Sequence, residues 1–103
     1  MHRIIQEKIH EIADLCRRYR VKHLEVFGSA AGDRFDPQTS DIDFIVEFFP
    51  MTPAEHANAY LGLAEDLEIL FSRPVDLIEL SAIRNPFFRQ SVEETQVMVY
   101  AAS

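Results

Sequence analysis

Apolar residues recur at Ile4, Ile5, Ile9, Ile12, Leu15, Cys16 and Tyr19, three and four apart with charges between them. This spacing predicts an amphipathic helix ending near Arg20. His23 to Phe27 is short, rich in β-formers and stops at Gly28, which reads as a strand. Ile42 to Phe48 reads as a second strand, bounded by Pro50. Thr52-Pro53-Ala54-Glu55 is a capping box with proline at the first helical position. The helix it opens carries Tyr60, Leu61, Ala64, Leu67 and Leu70 and runs to about Phe71. Pro74 ends it, and Val75 to Leu80 makes a third strand. Asn85-Pro86 caps a short helix to about Glu94, and Gln96 to Tyr100 is a closing strand. The order α-β-turn-β-α-β-α-β predicts an α/β fold, a small mixed sheet flanked by helices. No repeat or linker divides the chain, so residues 1–103 are expected to form a single domain.

The chemistry concentrates in Val26-Phe27-Gly28-Ser29-Ala30-Ala31-Gly32 and in Ser40-Asp41-Ile42-Asp43-Phe44. Gly28-Ser29 follows a strand where a helix would begin, and outward N–H groups there favour an anion such as phosphate. Glycine allows close approach, and the Ser29 hydroxyl adds a donor. Alone, Gly-Ser after a strand is a turn with an N-cap. Asp41 and Asp43 alter that balance. Strand side chains alternate, so these carboxylates share one face, about 7 Å apart, while Ile42, Phe44 and Val46 fill the other. A charged edge strand is the plainer use of such acids. In Arg73-Pro74-Val75-Asp76-Leu77-Ile78, Asp76 faces away from Val75 and Leu77. With the second and third strands adjacent, it reaches the space beside Asp41 and Asp43. Three carboxylates there oppose one another's ionisation, and divalent cations relieve the conflict. The three form a candidate two-metal site for phosphoryl chemistry.

Charge narrows the partners. The chain carries a net −7, with 17 acidic and 10 basic side chains among 103 residues. Residues 1–24 are basic on balance and residues 25–80 strongly acidic. An acidic middle repels a phosphate backbone, which argues against a direct nucleic-acid-binding module. No apolar run approaches the length that spans a membrane, and the amino-terminal residues lack a signal-peptide pattern. The one cysteine, Cys16, excludes an internal disulfide and is expected in the core, so a cytoplasmic setting is expected. The four histidines lack ligand spacing. Most of Phe48, Phe49, Phe87 and Phe88 are expected in the core. Arg73 is expected either at a triphosphate or in solvent.

Gly28-Ser29, Asp41-x-Asp43 and the later Asp76 resemble the DNA polymerase β-like nucleotidyltransferase superfamily. The small size, Gly28-Ser29-Ala30-Ala31, Phe35-Asp36-Pro37 before Ser40-Asp41, and Asn85-Pro86-Phe87-Phe88 through Tyr100 look more narrowly like minimal nucleotidyltransferases, the MNT proteins. Eleven residues lie between Ser29 and Asp41, one more than is commonest there. The resemblance implies a polymerase β-like core. It also implies Mg²⁺ (two ions, with Mn²⁺ as a substitute) at Asp41, Asp43 and Asp76, and ATP or another NTP whose terminal phosphates meet Gly28 and Ser29. The implied reaction is transfer of a nucleoside monophosphate to an acceptor hydroxyl, with Asp76 as candidate base. It further implies an antitoxin role, with AMP attached to a tyrosine of a HEPN-domain toxin. Two alternatives stand beside it: an antitoxin that neutralises its partner by contact alone, and transfer to a small molecule such as an aminoglycoside. The acceptor surface is expected from another chain, either a partner or a second copy in a homo-oligomer.

Overall fold

The computed structural model describes residues 1–32, 36, 38 and 40–103. Phe35 and Pro37 of the Phe35-Asp36-Pro37 motif lie outside the described residues. The expected first helix is broken into α1 (Arg3–Gln6) and α2 (Ile9–Arg18), with a turn at Glu7 and Lys8. The break has a tertiary cause. It lets Ile5 sink fully into the core and brings the His2 N–H to the Ala30 carbonyl at 2.9 Å. Helical spacing marks Ile5 as apolar but carries no sign of the break or of the His2–Ala30 bond. Arg20, at φ 59, takes the left-handed conformation that stops α2.

Strand β1 (Val21–Phe27) starts two residues before the predicted position, with a bulge between Val21 and His23. β2 (Ile42–Phe48) has the predicted bounds. α3 (Pro53–Phe71) opens on the predicted box: Thr52 Oγ1 accepts from Glu55 N, and Glu55 Oε1 accepts from Thr52 N. β3 (Val75–Glu79), α4 (Pro86–Thr95) and β4 (Val97–Ala101) follow. Asn85 Oδ1 caps α4 by accepting from Phe87 N and Phe88 N.

The sheet order is β3-β2-β1-β4. β1 runs antiparallel to both neighbours, and β2 pairs with β3 in parallel through the α3 crossover. This is the mixed sheet the element order predicts. One face packs on α2 and α3 through Leu24, Val26, Ile42, Phe44, Val46, Leu63 and Leu67, all fully buried. Cys16 joins that core, and burial pushes its thiol up to about 12, so it stays a packing group. The opposite face carries Asp43, Ile45 and Asp76. A smaller cluster of Phe27, Ile45, Ile83 and Val92 covers part of it beneath α4. Toward the far end of β1, buried Glu25 lies 3.0 Å from His23 Nδ1, and His23 Nε2 lies 2.6 Å from Glu47. The phenylalanines depart from expectation. Only Phe48 of the four is buried, while Phe87 on the first turn of α4 is 81% exposed. Phe88 rests edge-on against Phe27 and is only partly covered. Among the described residues, no helix is long and apolar enough to cross a membrane.

Candidate active site

The parallel register of β2 and β3 sets Asp43 directly beside Asp76. The antiparallel register of β1 and β2 sets Phe27 opposite Asp43, so the turn after Phe27 opens onto the same carboxylate. Three distant stretches meet here because two strand pairings converge on Asp43. Burial and a hydrogen bond with Asp76 push the Asp43 carboxyl up to about 6, with the negative charges of Asp76 and Asp41 adding to the effect. Asp41 stands one residue ahead of β2, exposed, outside the pleat that orients Asp43. Its charge reaches Asp43. Among the described residues, however, no three acidic, histidine or cysteine side chains are drawn into a single ligand set.

The chain leading to Asp41 is braced locally. Ser40 N–H donates to the Asp36 carbonyl, Asp36 N–H donates to Ser40 Oγ, and Gln38 N–H donates to Asp36 Oδ1. Arg73, a candidate phosphate contact in the sequence, directs its guanidinium to the carbonyls of Phe71 (3.3 Å) and Ser40 (3.5 Å). It thus ties the approach to β3 to the approach to β2.

Gly28-Ser29 is not the start of a long helix. Gly28–Ala31 is one 3₁₀ turn, so the expected helix dipole contributes little. Gly28 takes φ +70, which glycine adopts without steric cost. A Cβ there would stand 2.8 Å from Asp43 Oδ2, so the absence of a side chain is what lets the turn and the carboxylate close together. The Gly28 N–H donates to Thr95 Oγ1 at 3.1 Å and is not directed to open space. The Ser29 hydroxyl has no hydrogen-bond partner among the described residues and caps no helix. The plain N-cap use of Ser29 is therefore not observed. Ser29→Ala is expected to leave the unfolding midpoint nearly unchanged while weakening binding of ATP with Mg²⁺. Matched denaturation and calorimetry check this, and outright unfolding would mark Ser29 as structural.

Thr95 is the functional candidate that the sequence does not reveal, because it is 67 residues from its partner. Its only local signal is a hydroxyl at the end of a helix.

Comparison with known proteins agrees with this geometry. The family model of the nucleotidyltransferase domain matches residues 9–98. The chain is 35% identical over 99 residues to "Putative protein adenylyltransferase MJ0128" of Methanocaldococcus jannaschii, covering 88% of this chain and 97% of that one. A solved structure described as a "putative minimal nucleotidyltransferase" superposes with a TM-score of 0.66 at 26% identity, over 94% of this chain and 95% of that one. A chain from the complex of tri-AMPylated Shewanella oneidensis HEPN toxin with MNT antitoxin shares the fold, with a TM-score of 0.65 at 21% identity, over 95% of this chain and 73% of that one. The four-stranded mixed sheet, the family match over most of the chain and the relatives' names agree: this chain belongs to the nucleotidyltransferase domain family and is a nucleotidyltransferase of the minimal type.

Proposed function

We propose that this chain transfers AMP from ATP, with Mg²⁺, to a tyrosine hydroxyl of a HEPN-type toxin, releasing pyrophosphate as the bond between the α- and β-phosphates breaks, and so acts as its antitoxin. The observation that carries the reading is the pairing of Asp43 with Asp76 on adjoining strands, against the Gly28-Ser29 turn. The adenylyl group and the protein acceptor are supported by the name of the 35% identical relative. The toxin is supported by the structural neighbour.

The donor chemistry at this site fits Mg²⁺. Its side chains are carboxylates, the oxygen ligands this hard ion takes, and Asp43, raised first by burial, also feels the negative charges of Asp76 and Asp41. Asp41, Asp43 and Asp76 would hold the ion or ions. When bound, such ions lower the pKa of the acceptor hydroxyl and stabilise charge on the phosphoryl oxygens. In this reading the Ser29 hydroxyl donates to a terminal phosphate, and the missing side chain at Gly28 lets the Asp43 carboxylate close against the turn that carries Ser29. Asp76, exposed where Asp43 is partly buried, accepts the proton of the incoming hydroxyl. The acidic surface of residues 25–80 disfavours a polyanionic acceptor and suits a protein one.

The test is intact-mass analysis of a HEPN partner incubated with this chain, ATP and Mg²⁺. One or more adenylyl groups on a tyrosine, absent when EDTA is added, is the expected result. An unmodified toxin that this chain still neutralises would overturn the catalytic reading.

A further inference from the structure

We propose that Thr95 is a positioning residue of the nucleotide site, holding the Gly28 peptide so that the turn presents Ser29 to a phosphate. The inference rests on the reading of Gly28-Ser29 as the phosphate turn given above. It adds a residue from the far end of the chain, and its basis is a contact that is independent of the carboxylates.

The Thr95 hydroxyl has a single hydrogen. Its Oγ1 lies 3.4 Å from the Ser91 carbonyl and 3.5 Å from the Val92 carbonyl, both within its own helix. That hydrogen is directed back into α4, which leaves an oxygen lone pair for the Gly28 N–H at 3.1 Å. The hydroxyl is also well located. α4 is fastened beneath the sheet by Val92, 3% exposed, and by Phe88, whose ring meets Phe27 edge-on at 6.1 Å. The helix is a strut with one end against Phe27 and the other against Gly28.

Gly28 is where such a strut matters most. Glycine has the widest backbone freedom, and this one must hold φ +70 with Asp43 Oδ2 occupying the space a side chain would fill. A tether on its N–H fixes the plane of the peptide entering the turn, and with it the direction of Ser29. The same bond means that the Gly28 N–H is engaged by Thr95 and is not offered to a phosphate chain. A different role for Thr95, as a stand-in that phosphate displaces, predicts the opposite sign on removal.

The experiment compares wild type, Thr95→Val and Thr95→Ser by calorimetry with ATP and with AMP, each with Mg²⁺, alongside thermal unfolding. Valine keeps the shape and removes the acceptor, whereas serine keeps the acceptor. Loss of one hydrogen-bonded constraint predicts ATP binding weakened roughly three- to tenfold in Thr95→Val. AMP lacks the terminal phosphates and should bind nearly as before, and Thr95→Ser should bind ATP as wild type does. Unchanged ATP binding in Thr95→Val overturns the proposal, and tighter binding assigns Thr95 the displaced role instead. Equal losses for ATP and AMP together with a lower unfolding midpoint would reduce Thr95 to a support of the fold. Hydrogen exchange at the Gly28 amide of the wild type provides a measurement that needs no variant. Slow exchange is expected, and exchange at the rate of an open amide overturns the tether. A wild type that binds no ATP but protects this amide would refute the nucleotide reading and leave the tether standing.

Discussion

Asp41→Asn combined with Asp43→Asn is expected to abolish nucleotidyl transfer, by roughly a thousandfold or more, while the chain stays folded and still binds its partner. Both substitutions keep side-chain volume and remove an anionic oxygen. Mg²⁺ takes carboxylate oxygen and water, so the amides leave it no adequate site. On the proposed reading, loss of the ion removes the main stabilisation of the charge that builds on the phosphoryl oxygens. Ile42 and Phe44, fully buried on the other face of β2, are untouched, which is why the fold survives. The variant also separates two ways of neutralising a toxin. Neutralisation by modification fails in the double variant, whereas neutralisation by contact persists. Growth of toxin-expressing cells at matched protein levels reads the difference, and rescue by the double variant would sink the enzymatic account of protection.

Stability should move in the opposite direction from activity. The Asp43 carboxyl stands at about 6 in the folded chain against an ordinary 3.8, first through burial, then through Asp76. Between those values the folded state holds a proton that the unfolded state releases. The stabilising contribution is therefore complete below about pH 4 and is lost as pH rises to about 6. Asp43→Asn has no such proton to lose. In metal-free buffer the variant should overtake wild type in unfolding midpoint above pH 6. Added Mg²⁺ should raise the wild type and leave the double Asn variant unmoved. A wild type that gains on Asp43→Asn as pH rises from 4 to 6 would contradict the assigned direction.

Local signals carried most of the architecture. The apolar alternation from Ile42 to Phe48, the Thr52–Glu55 box and the Asn85-Pro86 cap each act within a few residues, so the corresponding elements were legible with their boundaries nearly right. The adjacency of Asp43 and Asp76 was legible only conditionally, because it depended on β2 and β3 being neighbours. What was illegible is tertiary. The kink between α1 and α2 serves the His2–Ala30 bond, and helical spacing, which marked Ile5 as apolar, encodes neither the kink nor that bond. Phe87 reads as a core residue by type, yet the capped first turn of α4 leaves it in solvent. Gly28-Ser29 suggested a helix start, but the chain makes one 3₁₀ turn and gives the Gly28 N–H to a helix end 67 residues away. A dipeptide cannot announce such a partner.

Gly28→Ala should be the most damaging single methyl in the site, costing about 2–4 kcal/mol of stability and most of the affinity for ATP with Mg²⁺. Two causes contribute. A side chain at φ +70 is strained in itself, and its Cβ would sit 2.8 Å from Asp43 Oδ2, closer than packed atoms allow. The carboxylate would have to leave the position it holds beside Asp76, so the damage extends from the turn to the acidic pair. Gly32→Ala is the internal control. It lies in the same stretch at φ −125, a methyl there would have nothing within 4 Å, and it should shift stability by less than about 0.5 kcal/mol. The two causes can be separated by adding Asp43→Ala. Truncating Asp43 removes the atom that the new methyl would meet but leaves the backbone strain, so Gly28→Ala should cost less in the Asp43→Ala background than in wild type. Urea denaturation of the four proteins in this cycle measures that difference. Equal costs in both backgrounds would mean that Gly28 is required only for its backbone, and that the close fit of turn to carboxylate contributes nothing.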